Sequence, residues 1–129
     1  LYVRLLRGVF RQEGGKHTAL SVEIRATVLD GEGRPIPVLL KGSRVGGSVE
    51  LRSAVFFRAN QPVPEELLIL RFPAASAARF DGARLVLRFW HISTQGAVRS
   101  RPVSFAFLPL TGPDGSALRD GMHELLCWE

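Results

Sequence analysis

The sequence predicts an all-β domain: an antiparallel sandwich of about seven to eight strands. Three observations predict it. The apolar residues recur with period two, the period of a half-buried strand. The strand-like runs are short and are punctuated at regular intervals by Gly, Pro and Asp turn signals, as in sandwiches and barrels. The chain has 129 residues, 46% of them hydrophobic and 22% charged, which suits residues 1–129 to one domain with one core.

Taken in order, the strand candidates begin with residues 1–10. Residues 21–29 come next, with Val22, Ile24, Ala26 and Val28 on one side and Glu23, Arg25 and Thr27 on the other. Shorter candidates lie at 37–40, 49–58 and 67–72. Residues 84–90 set Leu85, Leu87 and Phe89 against Arg84, Val86, Arg88 and Trp90. Residues 104–110 are apolar on both faces, which suggests a central strand; Phe105 and Phe107 are assigned to the core. A last candidate lies at 122–128. Turn signals separate them, among them Asp30-Gly31, Asp81-Gly82, Pro113-Asp114-Gly115 and Asp120-Gly121. The best helix candidate, 73–80, is long enough for one turn only.

Catalytic chemistry is poorly represented. His17, His91 and His123 are scattered, without metal-ligand spacing to one another or to cysteine. His91 is read as structural. Gly14-Gly15-Lys16 lacks the remainder of a phosphate loop, and Ser104 lacks a nucleophile elbow. The single cysteine, Cys127, rules out an internal disulfide. The aspartates Asp30, Asp81, Asp114 and Asp120 sit in separate turns beside or near glycine, so each is a turn residue first and a calcium ligand second. No cofactor and no metal are expected. The longest apolar runs are far too short to cross a bilayer as a helix. Leu1 falls directly inside a strand-like pattern, so the chain is read as a domain cut from a longer protein.

The formal charge is +5, from 17 Lys and Arg against 12 Asp and Glu. That excess suits either an anionic partner or solubility alone. If the strands alternate in direction, every second connection falls at the same end. One end then gathers 11–18, 41–48, 74–83 and 111–120, and the other 30–35, 58–66 and 93–102. The first end holds Arg11, Lys16, Lys41, Arg44, Arg79 and Arg119, with His17 as a further candidate. Glycines 14, 15, 42, 46 and 47 in its loops let an anion approach the backbone. Ordinary solvated loops account for the same residues. Nucleic-acid binding is the weakest reading, because few aromatic residues besides the core-like phenylalanines are available to stack: Tyr2, Trp90 and Trp128.

Several stretches carry a family resemblance. Phe80-Asp-Gly-Ala-Arg-Leu-Val-Leu-Arg-Phe-Trp-His-Ile-Ser-Thr resembles the strand of DOCK-family (dedicator of cytokinesis) proteins that ends in His-x-Ser-Ser/Thr. Phe105-Ala-Phe-Leu-Pro-Leu and Asp114-Gly-Ser-Ala-Leu-Arg-Asp-Gly-Met-His-Glu-Leu are similar to the next segments of that family's domain. Leu1-Tyr-Val-Arg-Leu-Leu-Arg-Gly-Val-Phe, Gly14-Gly-Lys and Ser21-Val-Glu-Ile-Arg-Ala-Thr-Val-Leu-Asp resemble its opening strand, first loop and second strand. Asn60-Gln-Pro-Val-Pro-Glu departs from the family's Asn-x-Pro-Arg-Trp turn.

The resemblance implies a non-catalytic C2-type sandwich, the first homology region of a guanine-nucleotide exchange factor. Such a domain binds phosphatidylinositol trisphosphate without calcium and brings a cytoplasmic exchange factor to the plasma membrane. A small GTPase is then engaged by another domain. Carried over by position, Lys16, Arg11 and His17 in the first loop and Arg79 and Arg84 before and at the Arg84 strand bind the headgroup; Lys41 and Arg44 join them on the end-of-sandwich argument. The family's domain also continues past this C-terminus, which implies a further strand. A protein-interaction or intramolecular packing module without selective lipid binding is the alternative function.

Overall fold

The computed structural model describes residues 1–10, 20–40, 48–58, 61, 64, 66–71, 80–93 and 96–129, and the described part is all-β. Among these residues, seven strands form two antiparallel sheets. Strands β1 (Tyr2–Leu5), β5 (Glu66–Leu70) and β3 (Leu39–Leu40) make a three-stranded sheet in the order β1-β5-β3. Strands β4 (Glu50–Phe56), β2 (Val22–Leu29), β6 (Arg84–Ser93) and β7 (Arg99–Pro109) make a four-stranded sheet in the order β4-β2-β6-β7. The C2-type sandwich expected from the sequence is the fold observed. The helix candidate at 73–80 lies outside the described residues except for Phe80.

Period two does what it predicts in β2 and β6. Val22, Ile24, Ala26 and Val28 are buried together with Leu85, Leu87 and Phe89, and register puts Ala26 opposite Leu87 and Val28 opposite Leu85. The core continues through Leu39, Leu68 and Leu70 from the smaller sheet, with Phe10 edge-on to Phe89 at 4.8 Å between ring centroids. Burying each such large side chain contributes about 1.5–3 kcal/mol.

In β7 the expected face is reversed. Phe105 and Phe107, assigned to the core, are 40% and 42% exposed, whereas Ala106, Leu108 and Leu110 are buried. Both parities of this strand are apolar, so alternation alone does not choose between them. Pairing chooses: Leu85 sits opposite Leu108 and Leu87 opposite Ala106, and residues directly opposed in an antiparallel pair share a face. A register shift between Phe89 and Trp90 marks where the pattern is interrupted.

Two other expectations are shortened. Residues 1–10 supply only the four-residue β1. Residues 122–128 form no named strand; Trp128 alone bridges Phe105, through two reciprocal 2.8 Å backbone hydrogen bonds. In the other direction, β6 and β7 are longer than expected and pair down to Ser93 and Arg99.

Strand direction is the finding that matters for function. Strand β2 ends at Leu29, beside Asp30. At that end Ile36 donates to the Val28 carbonyl (2.9 Å), Arg71 to Val38 (2.8 Å) and Leu70 to Leu1 (2.9 Å), so β1 begins and β5 ends there. β6 begins there too, because Arg84 pairs with Leu29, and so does β4, because Glu50 pairs with Thr27. Thus β1, β3, β4 and β6 run from this Asp30 rim toward Ser21, and β2, β5 and β7 return. Strict alternation fails once, between β3 and β4. Ser48 bridges antiparallel to Leu39, so the chain turns back once before β4 starts. Every connection after that point changes ends relative to the expectation.

Candidate anion-binding rims

The four-stranded sheet therefore ends in two rims of different chemistry. At the Asp30 rim the carboxylates hold turns. Asp30 accepts from the backbone N–H of Glu32 (3.0 Å) and Arg34 (2.8 Å) on one oxygen and from the Arg34 Nε–H (3.0 Å) on the other. The Arg34 amide is the leading reason that its pKa lies at about 2, opposed by partial burial and assisted by the Arg34 side chain and the Glu32 amide. Gly33 supplies the positive φ, 82°, that closes this turn.

The neighbouring turn packs against it directly: a Cβ on Gly31 would fall 2.9 Å from the Asp81 carbonyl oxygen. Gly82 donates to Thr111 Oγ1 at 3.1 Å. Asp114 accepts from both the hydroxyl and the amide of Ser116, which hold its carboxyl below the ordinary range. The reading of these aspartates as turn residues agrees with Asp30 and Asp114. Among the described residues, no three His, Cys, Asp or Glu lie close enough to hold a metal ion. Segments 30–36, 71, 80–84 and 110–120 together place Arg34, Arg71, Arg84 and Arg119 against Asp30, Glu32, Asp81, Asp114 and Asp120.

The Ser21 rim is built differently. Ser21 accepts from Ile92 N–H through its carbonyl (2.8 Å) and from Arg58 N–H through its hydroxyl (3.2 Å), and its own amide donates to His91 Nδ1 (3.1 Å). This is the structural role expected for His91; accepting at Nδ1 leaves the proton of the neutral ring on Nε2. Arg58 has φ 47°, the only positive φ outside glycine among the described residues, and its guanidinium lies over the Phe57 ring, 5.2 Å from the centroid. Arg99 and Arg101 open β7 at the same rim, and Arg7 reaches across to the side-chain carbonyl of Gln61. All four arginines are exposed; segments 6–10, 20–21, 57–58, 91–93 and 96–101 hold no acidic residue, and Glu66, opposite Leu5, opens β5 at this rim.

Of the residues nominated from the sequence, Arg84 is described. It is exposed, opens β6 at the Asp30 rim, and pairs with Leu29 and Pro109. Strand rise puts it roughly 25 Å from Ser21. Arg11, Lys16, His17, Lys41, Arg44 and Arg79 lie outside the described residues. The grouping that linked them does not match the observed sheet: 30–35 shares a rim with 80–83 and 111–116, while Arg58, Arg99 and Arg101, assigned to the opposite end from residues 11–18, stand beside Leu20 and Ser21, where that segment re-enters the sheet. The signal that would have found them is the Leu39–Ser48 bridge, a non-local pairing that no local pattern announces.

A sandwich of two antiparallel sheets, three-stranded and four-stranded, is the architecture of a C2-type domain. The family model that describes the C2 domain in Dock180 and Zizimin proteins matches residues 1–129, and the chain belongs to that family. Among curated relatives, it is 35% identical to mouse dedicator of cytokinesis protein 4 over 127 residues and 32% identical to mouse dedicator of cytokinesis protein 3 over 130 residues. These alignments cover 98% and 100% of this chain and 6% of each relative. Among the described residues, no helix is long and apolar enough to cross a membrane.

Proposed function

We propose that this domain is a non-catalytic, calcium-independent binding module for anionic phosphoinositide membrane, serving to recruit a Rho/Rac-family guanine-nucleotide exchange factor from the cytoplasm to the plasma membrane. The observation that carries the reading is the Ser21 rim, where Arg7, Arg58, Arg99 and Arg101 stand against one described acidic residue, Glu66 at the start of β5. Phe57 and Val98, 66% and 76% exposed, stand next in sequence to Arg58 and Arg99 and offer apolar contact at the same edge. Arg11, Lys16 and His17 belong to the segment between Phe10 and Leu20 and are proposed to complete the headgroup site. Arg84 drops out of it, since Phe80–Ala83 and the start of β6 stand on the Asp30 rim.

Each basic side chain close to an anionic membrane contributes about 1 kcal/mol, so a handful gives reversible attachment. Sedimentation with vesicles of neutral lipid, with and without phosphatidylinositol trisphosphate, tests the reading. Binding should require the anionic lipid and should be unchanged by a calcium chelator. Equal binding to neutral vesicles, or no binding to either, overturns it.

A further inference from the structure

The outer face of the four-stranded sheet carries a feature that the lipid reading does not use. Register places Arg52, Arg25 and Arg88 abreast on β4, β2 and β6. Like charges in direct cross-strand register repel unless they are neutralised. Two are neutralised from their own strands: Arg25 by Glu23, with its guanidinium also 4.1 Å from the Trp90 ring centroid, and Arg52 by Glu50 at 2.9 Å. Arg88, and Arg84 four residues before it on the same face, have no carboxylate within 4 Å among the described residues.

Beside them lies a concavity of about 570 Å³. Its lining includes Leu29, Val86, Phe105 and Phe107 with two basic residues, Arg84 and Arg88, against one acidic residue, Glu129. Val86, between the two arginines, is 7% exposed although it points away from the core, so the floor is recessed beneath its neighbours. This is why β7 is apolar on both faces: Ala106 and Leu108 fill the core, and Phe105 and Phe107 stand over the groove.

We propose that this groove docks an extended, acidic protein segment with carboxylates at positions i and i+4 and an apolar residue at i+2. The pattern Arg84–Val86–Arg88 repeats along one strand face every second residue, and an extended chain laid over it has the same spacing, with about 13 Å from first to third site. Exposed aromatic rings, and arginines able to hold a carboxylate bidentately, are residue types that carry binding energy in protein interfaces. A flat bilayer does not reach a floor recessed below two phenylalanine rings, which favours a protein segment over lipid.

The test is an amide-resolved NMR titration of the 129-residue chain with the peptide acetyl-Ser-Glu-Ser-Phe-Ser-Glu-Ser-amide and with its Lys-for-Glu counterpart. The acidic peptide should move the amides of Val86, Arg88, Phe105 and Phe107 and leave the Ser21 rim still; the basic peptide should move none of them. Arg84→Glu with Arg88→Glu should weaken the acidic peptide by about tenfold or more and admit the basic one, with amide dispersion showing an intact fold. No movement with the acidic peptide, movement spread equally over Arg58 and Arg99, or anionic vesicles moving the groove amides all overturn the proposal. None of these outcomes depends on lipid binding at the Ser21 rim.

Discussion

The Ser21 rim and the Asp30 rim close the two ends of one sheet, yet they use charge in opposite ways. At the Asp30 rim, charged groups are structural: Asp30 takes two backbone amides and a guanidinium, and Asp114 takes an amide and a hydroxyl. Their hydrogen-bonding capacity is committed to holding turns. At the Ser21 rim the turn contacts are made by a serine hydroxyl and a histidine ring, so the arginines are left exposed and charged. An acidic excess at one rim, against four arginines and the single acid Glu66 at the other, among the described residues, is therefore a difference in availability as well as in number. Net charge alone does not reveal it.

The comparison breaks most easily at the arginines. Replacing Arg58, Arg99 and Arg101 together by Glu should reduce binding to trisphosphate-lipid vesicles by about 100-fold or more, from roughly 1 kcal/mol per lost charge. The Asp30-rim pair Arg71→Glu and Arg119→Glu should change it only a few-fold. Vesicle sedimentation of both variants at one ionic strength checks this, and equal losses would mean diffuse attraction with no preferred rim.

Next in size is a packing effect at the other rim. Gly31→Ala forces a Cβ to within 2.9 Å of the Asp81 carbonyl oxygen, a backbone atom that cannot swing aside. A cost of about 1–3 kcal/mol is expected in urea unfolding, with lipid binding at the Ser21 rim unchanged in the folded fraction.

Asp30→Asn separates the rims by pH. The folded-state pKa of Asp30, about 2, lies below the ordinary carboxylate value. Its contribution to stability is therefore complete above about pH 4 and is lost as pH falls toward 2. The variant should melt lower than the parent at pH 7, and the gap between their melting temperatures should narrow across that window. A constant gap would place the effect in turn geometry and not in charge.

The smallest expected effect is Arg58→Gly. A non-glycine residue at φ 47° is strained by about 1–2 kcal/mol, and glycine relieves this while losing about 0.5–1 kcal/mol to unfolded-chain entropy. Stability should stay level or rise by up to about 1.5 kcal/mol while vesicle binding weakens. A clear loss of stability would show that the contact with Phe57 outweighs the strain.

Much of this was legible in the sequence, in proportion to how local the physics is. Period two and the turn residues determined an all-β sandwich, the inward faces of β2 and β6, and the use of Asp30 and Asp114 as turn residues, because each depends on neighbours within a few positions. Motif order over the whole chain determined the family. What only the tertiary structure decided depends on partners distant in sequence. The face of β7 was undecidable while both parities were apolar, and pairing of Leu108 with Leu85 settled it. The rim to which each loop belongs turned on a single return of chain at the Leu39–Ser48 bridge, which moved Arg58, Arg99 and Arg101 to the Ser21 rim and Arg84 to the other. Strand direction is a property of sheet pairing, and hydrophobic periodicity, identical when a strand is read from either end, carries no record of it.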